Sequence, residues 1–201
     1  MAPLSLEFGV AGCIAPGERT SGDLEVIHYH EQGAAVMLAV IDGIGHGEPA
    51  AATARLAADA LLHAPGDSPV SLVVRCHAAL RGTRGAVASI ASIDLRRAAL
   101  SWLGVGNVSG LVSRGTADAL GGREELLARP GVIGAGELPP LQPAVIALRA
   151  RDTLIFATDG VSRRYCDGLP PHMPAQALAE EIIARHCPGN DDALVVVARA
   201  R

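Results

Sequence analysis

Four aspartates in this chain share a setting that suits metal chemistry. Asp23 follows the stretch TSG and opens an alternating run, and Asp42 closes the apolar run 37–41 and precedes Gly43. Asp159 ends TLIFAT and precedes Gly160, and Asp191 follows PGN and opens the last apolar run. Each acid therefore stands where an apolar segment meets a turn. Carboxylates gathered in that way bind hard divalent cations through oxygen. Without a cation they would repel one another and some would take up protons. Bound Mg²⁺ or Mn²⁺ removes that repulsion, lowers the pKa of a water and clamps a phosphoryl oxygen. Glycine beside the acid lets a backbone carbonyl or a water come close. Any one Asp-Gly pair is more often a turn than a ligand. The set and its order give the metal reading its weight.

The elements that must position these acids follow from periodicity. Residues 4–12, the alternating DLEVIHYHE and the apolar AAVMLAVID read as strands. EPAAATARLAADALLHA reads as an alanine-rich helix, and SPVSLVVRCHAALRG as a second, with Ser68 as N-cap and Pro69 at its first position. Three strands follow in GAVASIASIDL, AALSWLGVGNV and SGLVSRG. Residues 121–141 are rich in Gly and Pro and read as irregular. QPAVIALRARDTLIFATDG gives two strands around RARD, MPAQALAEEIIARHCPG a helix, and DDALVVVARA a final strand. Strands run in groups with helices between them, so the fold class is α+β and mostly antiparallel. One domain over residues 1–201 is the simplest account.

Composition narrows the function classes. Lys and Arg number 17 against 21 Asp and Glu, which argues against a phosphate-backbone binder. Aromatics are 2%, so stacking platforms for nucleic acid are scarce. No window of 18 apolar residues spans a membrane, and the N-terminus lacks the pattern of a signal peptide. Cys13, Cys76, Cys166 and Cys187 form no C-x-x-C pair and read as reduced thiols of a cytosolic protein.

SGD at 21–23, DGIGHG at 42–47, GVGNVSG at 104–110, TDG at 158–160 and NDDALVVV at 190–197 together resemble the ordered motifs of the PPM-type metal-dependent serine/threonine phosphatases. The SpoIIE-like bacterial branch is the nearest, and within it the bare stressosome phosphatases more than the sensor-fused members. The resemblance implies a sandwich of two antiparallel β-sheets flanked by helices. It implies two Mn²⁺ or Mg²⁺ ions held by Asp23, Asp42, the Gly43 carbonyl, Asp159 and Asp191, with Asp42 bridging both. Asp42 and Asp159 would then be central to catalysis by in-line attack of a metal-activated water. The implied partner is a phosphorylated STAS-domain regulator, and the expected state is a monomer. Between the adjacent Asp191 and Asp192, neighbours on a strand point to opposite sides, so one direct ligand is expected and the family pattern favours Asp191.

The family's last motif often carries Thr two residues after the second acid. Here that residue is Leu194, which removes a hydrogen bond expected behind the ligands. Some members grip phosphate with an arginine before the first acid, and Arg19 is the candidate, although an exposed turn arginine is more often plain solvated charge. His46 could contact phosphate, fix a water or cap the helix that follows. Asn107 is expected to shape a turn, Trp102 to lie in the core, and Arg163 and Arg164 to be surface charge or a seat for an acidic partner. Two rival classes remain. One is a catalytically silent phosphoprotein-binding module with the same fold. The other is a nucleotide-binding enzyme, but GVGNVSG and GVIGAGE fit neither common phosphate-loop pattern.

Overall fold

The computed structural model describes residues 4–115, 122–167, 169 and 173–201. In chain order these hold β1 (Leu6–Cys13), β2 (Asp23–His30), β3 (Ala35–Gly43), α1 (Gly47–Leu62), α2 (Pro69–Ala79), β4 (Ala86–Asp94), β5 (Ala99–Val105), β6 (Ser109–Ser113), β7 (Arg123–Leu126), β8 (Ala144–Ala147), β9 (Thr153–Ala157), α3 (Ala175–His186) and β10 (Ala193–Ala200). The strands form two five-stranded sheets, ordered β1-β10-β9-β6-β7 and β2-β3-β4-β5-β8. Every pairing between these strands is antiparallel.

An unbroken apolar run can be a strand when both its faces are covered, and β3 is such a case. Val36, Leu38 and Val40 point between the sheets, beside Trp102 of β5 and Phe156 of β9. Met37, Ala39 and Ile41 point the other way, onto α1 and α2 through Ala54, Ala57, Leu61, Leu72 and Val73. β9 and β10 repeat the pattern, with Ile155, Val195 and Val197 packed on Leu178, Ala179 and Ile182 of α3. The result is four layers: two helices, a sheet, a sheet and a helix. Small residues at helical spacing, Ala50, Ala54, Ala57 and Ala58, let α1 lie close to its sheet. Ser68 accepts a hydrogen bond from the Ser71 N–H at 3.2 Å and Pro69 opens α2, as the sequence implies.

One expectation needs correcting. Within the stretch read as irregular, Arg123–Leu126 forms β7 and pairs with β6; residue 121 lies outside the described residues. Three of its four residues are exposed, so its place is set by backbone pairing and not by an apolar pattern. The RARD turn joins β8 in one sheet to β9 in the other, and buried Asp152 fixes this corner by accepting from the Arg149 N–H at 3.0 Å and from Arg114 Nη1 at 2.7 Å. The two ends of the described chain meet: the Arg201 N–H donates to the Ser5 carbonyl at 2.9 Å. Among the described residues no helix is long and apolar enough to cross a membrane.

Candidate metal centre

Strand register brings the first two acids together. Asp23 stands directly opposite Asp42 across β2 and β3. Asp42 has the same parity as Val36, Leu38 and Val40, so its side chain leaves the strand toward the gap between the sheets. The opposite sheet brings the other acids to that end. Asp159 follows β9, and Asp191 and Asp192 precede β10. The acids are near enough to perturb one another. Burial pushes the Asp42 carboxyl up to about 8, helped by the charges of Asp23, Asp159, Asp191 and Asp192. Burial also raises Asp23 to about 7, opposed by a hydrogen bond from Thr158 and assisted by the same neighbouring carboxylates. Like charges directly opposite on a ladder are unfavourable in any case.

The surrounding contacts sort the acids by role. Asp192 is buried, and both its oxygens are taken by backbone: the Ala15 N–H donates to Oδ1 and the Gly22 N–H to Oδ2, each at 2.8 Å. It fastens the 14–22 loop to the start of β10. Asp191 is exposed, and its carboxylate accepts only from the Asp192 N–H, at 2.9 Å, among the described residues. Asp159 is exposed and accepts from Asn107 Nδ2 at 2.7 Å. Asn107 therefore does more than shape its turn, since it orients an acid 52 residues away. Thr158 Oγ1 lies 2.7 Å from Asp23 Oδ2 and 2.8 Å from the Leu194 nitrogen.

Two glycines are required by close approach. A Cβ on Gly43 would come within 2.3 Å of the Ala50 carbonyl oxygen in α1, and one on Gly160 within 1.9 Å of the Asp192 carbonyl oxygen. Each places backbone against backbone just after an acid. His46 occupies the N-cap position of α1, but its side chain does not cap; Nδ1 lies 2.6 Å from Glu18 Oε1. Arg19 is exposed on the 14–22 loop. Arg163 pairs with Glu125 at 3.1 Å, and Trp102 lies in the inter-sheet core. The four cysteines are free, and the Cys13 and Cys187 sulfurs lie 2.7 Å apart.

These residues suit divalent cations of the Mg²⁺ or Mn²⁺ kind. The donors are carboxylate oxygens, and the raised Asp23 and Asp42 carboxyls mark a site whose negative charge lacks compensation. Among the described residues no three Asp, Glu, His or Cys side chains close into a ready cage for one ion.

The sequence profile of the stage II sporulation protein E (SpoIIE) family matches residues 32–201. The chain belongs to the SpoIIE family. Its fold and class follow: this is a PPM-type phosphatase, a metal-dependent serine/threonine phosphatase of the SpoIIE and RsbX branch. Among solved structures, a chain from work on the bacterial stressosome as a modular system adapted to control secondary messenger signaling shares 30% identity; the alignment covers 97% of this chain and 100% of that one, with a TM-score of 0.85. RsbX in complex with magnesium shares 19% identity over 98% and 96% of the two chains, with a TM-score of 0.85. The catalytic domain of the serine/threonine phosphatase PstP in complex with two manganese ions shares 16% identity over 98% and 99%, with a TM-score of 0.69. At those identities the last two carry the fold alone. A comparison with curated proteins finds no match.

Proposed function

We propose that this SpoIIE-family chain hydrolyses phosphoserine or phosphothreonine on a bacterial regulatory protein, using Asp23, Asp42, the Gly43 carbonyl, Asp159 and Asp191 to hold two Mn²⁺ or Mg²⁺ ions. The observation that carries this reading is the gathering of carboxylates from both sheets at one end, with Asp23 and Asp42 in register and both pushed up by burial and mutual charge. When bound, such ions supply Lewis acidity that lowers the pKa of a water and neutralises phosphoryl oxygens. The chain's own part is positioning. Ladder register fixes Asp42 beside Asp23, Asn107 holds one oxygen of Asp159, and Asp192 anchors the loop that leads into β2. With Asp192 occupied by backbone donors, Asp191 is the member of the pair left to face an ion.

Arg19 on the exposed loop and His46 in the glycine turn are the residues proposed to meet the substrate phosphate, with Glu18 setting the orientation of the imidazole. The 30% identity to a chain from stressosome work favours a STAS-domain regulator of a stressosome or anti-anti-sigma pathway as the phosphoprotein. A single domain, a monomer and a cytoplasmic setting complete the proposal.

Phosphate release from an aryl phosphate, with and without Mn²⁺, tests the reading. Metal-dependent turnover is expected for the wild type. Asp42→Asn and Asp159→Asn should each lose more than about 100-fold, beyond the range typical of losing an outer partner of a metal ligand. If small esters are ignored, phosphorylated STAS protein and Mn²⁺ calorimetry decide. Tight phosphoprotein binding without release would make the chain a silent binding module, and absence of Mn²⁺ binding would reduce the acids to turn residues.

A further inference from the structure

Thr158 is almost wholly buried, 2% exposed, yet it carries a hydroxyl at the seam between the two sheets. A buried hydroxyl must be satisfied, and its partners fix its direction. The Leu194 N–H can only donate, so at 2.8 Å Thr158 Oγ1 accepts from it. The hydroxyl has one proton, and the neighbour left to receive it is Asp23 Oδ2 at 2.7 Å. Thr158 is itself held, because its own N–H donates to the Leu194 carbonyl at 3.0 Å. Both backbone groups of Leu194 are therefore spent on one residue. Asp23 belongs to the other sheet, 135 residues away in the chain.

We propose that Thr158 is a positioning residue for the metal centre: its hydroxyl pins Oδ2 of Asp23, turns Oδ1 toward the remaining acids, and sets the affinity of the site for a divalent cation. The inference rests on the reading of Asp23 as a metal ligand. Hydrogen bonds behind a ligand fix its orientation and its basicity, and their loss typically costs 10–100-fold in affinity. A threonine that served only to close the sheet seam would need its backbone bonds and its shape, both of which valine preserves.

Isothermal titration of Mn²⁺ into the full chain, wild type beside Thr158→Val and Thr158→Ser, separates these roles. Thr158→Val should weaken Mn²⁺ binding by roughly 10-fold or more, and Thr158→Ser should bind within about 3-fold of wild type. Folded Thr158→Val that binds Mn²⁺ like the wild type overturns the proposal and leaves the site reading intact. A wild type that binds no Mn²⁺ overturns both. Should Thr158→Val fail to fold, the wild type supplies the readout by NMR. A Thr158 hydroxyl proton, slow to exchange and shifting along the Mg²⁺ saturation curve, supports the proposal. A hydroxyl that is free to exchange, or that ignores Mg²⁺, overturns it.

Discussion

Asp42 is a residue whose chemistry and whose cost to the fold oppose each other. Its carboxyl is pushed up to about 8 by burial and by four neighbouring carboxylates. Asp42→Asn keeps the shape and removes the charge. Metal-dependent turnover is therefore expected to disappear while the metal-free protein becomes more stable. At pH 8 its melting temperature should rise by roughly 2–4 °C for each kcal/mol of relieved repulsion, measured by thermal denaturation in chelator. Such a trade between stability and activity marks a site that holds strained charge for a purpose. Much of this was legible at the residue level: the acids announce themselves by standing between apolar runs and glycine. Their supporting contacts did not. Thr158 to Asp23 spans 135 residues and Asn107 to Asp159 spans 52, and neither pair has a local pattern. The parity argument for Asp191 and Asp192 allows one of them to face an ion, but it could not show that two backbone N–H groups occupy the other.

At the scale of elements, α1 must lie close to β3 for the site to form, because the Ala50 carbonyl sits where a Gly43 side chain would be. Its alanines keep that distance short. Ala54→Leu, at a position 1% exposed, should overpack the interface and cost about 1–3 kcal/mol. Leu56→Ala, on the outer face of the same helix and 47% exposed, should stay within about 0.5 kcal/mol of wild type. Chemical denaturation of the two variants checks the contrast. The helices and most strands were readable because the short unbroken apolar runs of β3, β9 and β10 are bounded by turn residues and the period of 3.6 residues is clear in the helices. β7 was not, since its exposed Arg123, Glu124 and Glu125 join the sheet through backbone bonds that charge patterns do not report. Nor does any local pattern say which strands share a sheet.

For the whole molecule, the charge at the seam makes stability depend on pH. In the unfolded chain Asp42 titrates near the ordinary 3.8, and folded it titrates near 8. Asp23 moves from 3.8 to about 7. Between those values the folded protein keeps protons that the unfolded chain has released, so a rise in pH favours unfolding. The melting temperature of the metal-free protein should therefore fall from pH 5 to pH 8 and level off above. Mn²⁺ should raise it most at the upper end of that range, with release of protons on binding. At 100 times its dissociation constant the metal adds about 2.7 kcal/mol. Melting curves across pH, with chelator and with Mn²⁺, test this.

The pairing of β1 with β10 has a consequence for how this phosphatase can be tethered. Leu6 faces Ala200 at one end of that ladder, and Cys13 faces Ala193 beside the acids at the other. Both ends of the described chain thus emerge side by side, eight residues or about 26 Å of strand away from the clustered acids. Anything joined at either end, whether a sensor, a scaffold subunit or an affinity tag, would hang from the same corner and leave the mouth of the site clear. A short linker between Arg201 and Leu4 would close the described chain into a ring without crossing the end that carries the acids.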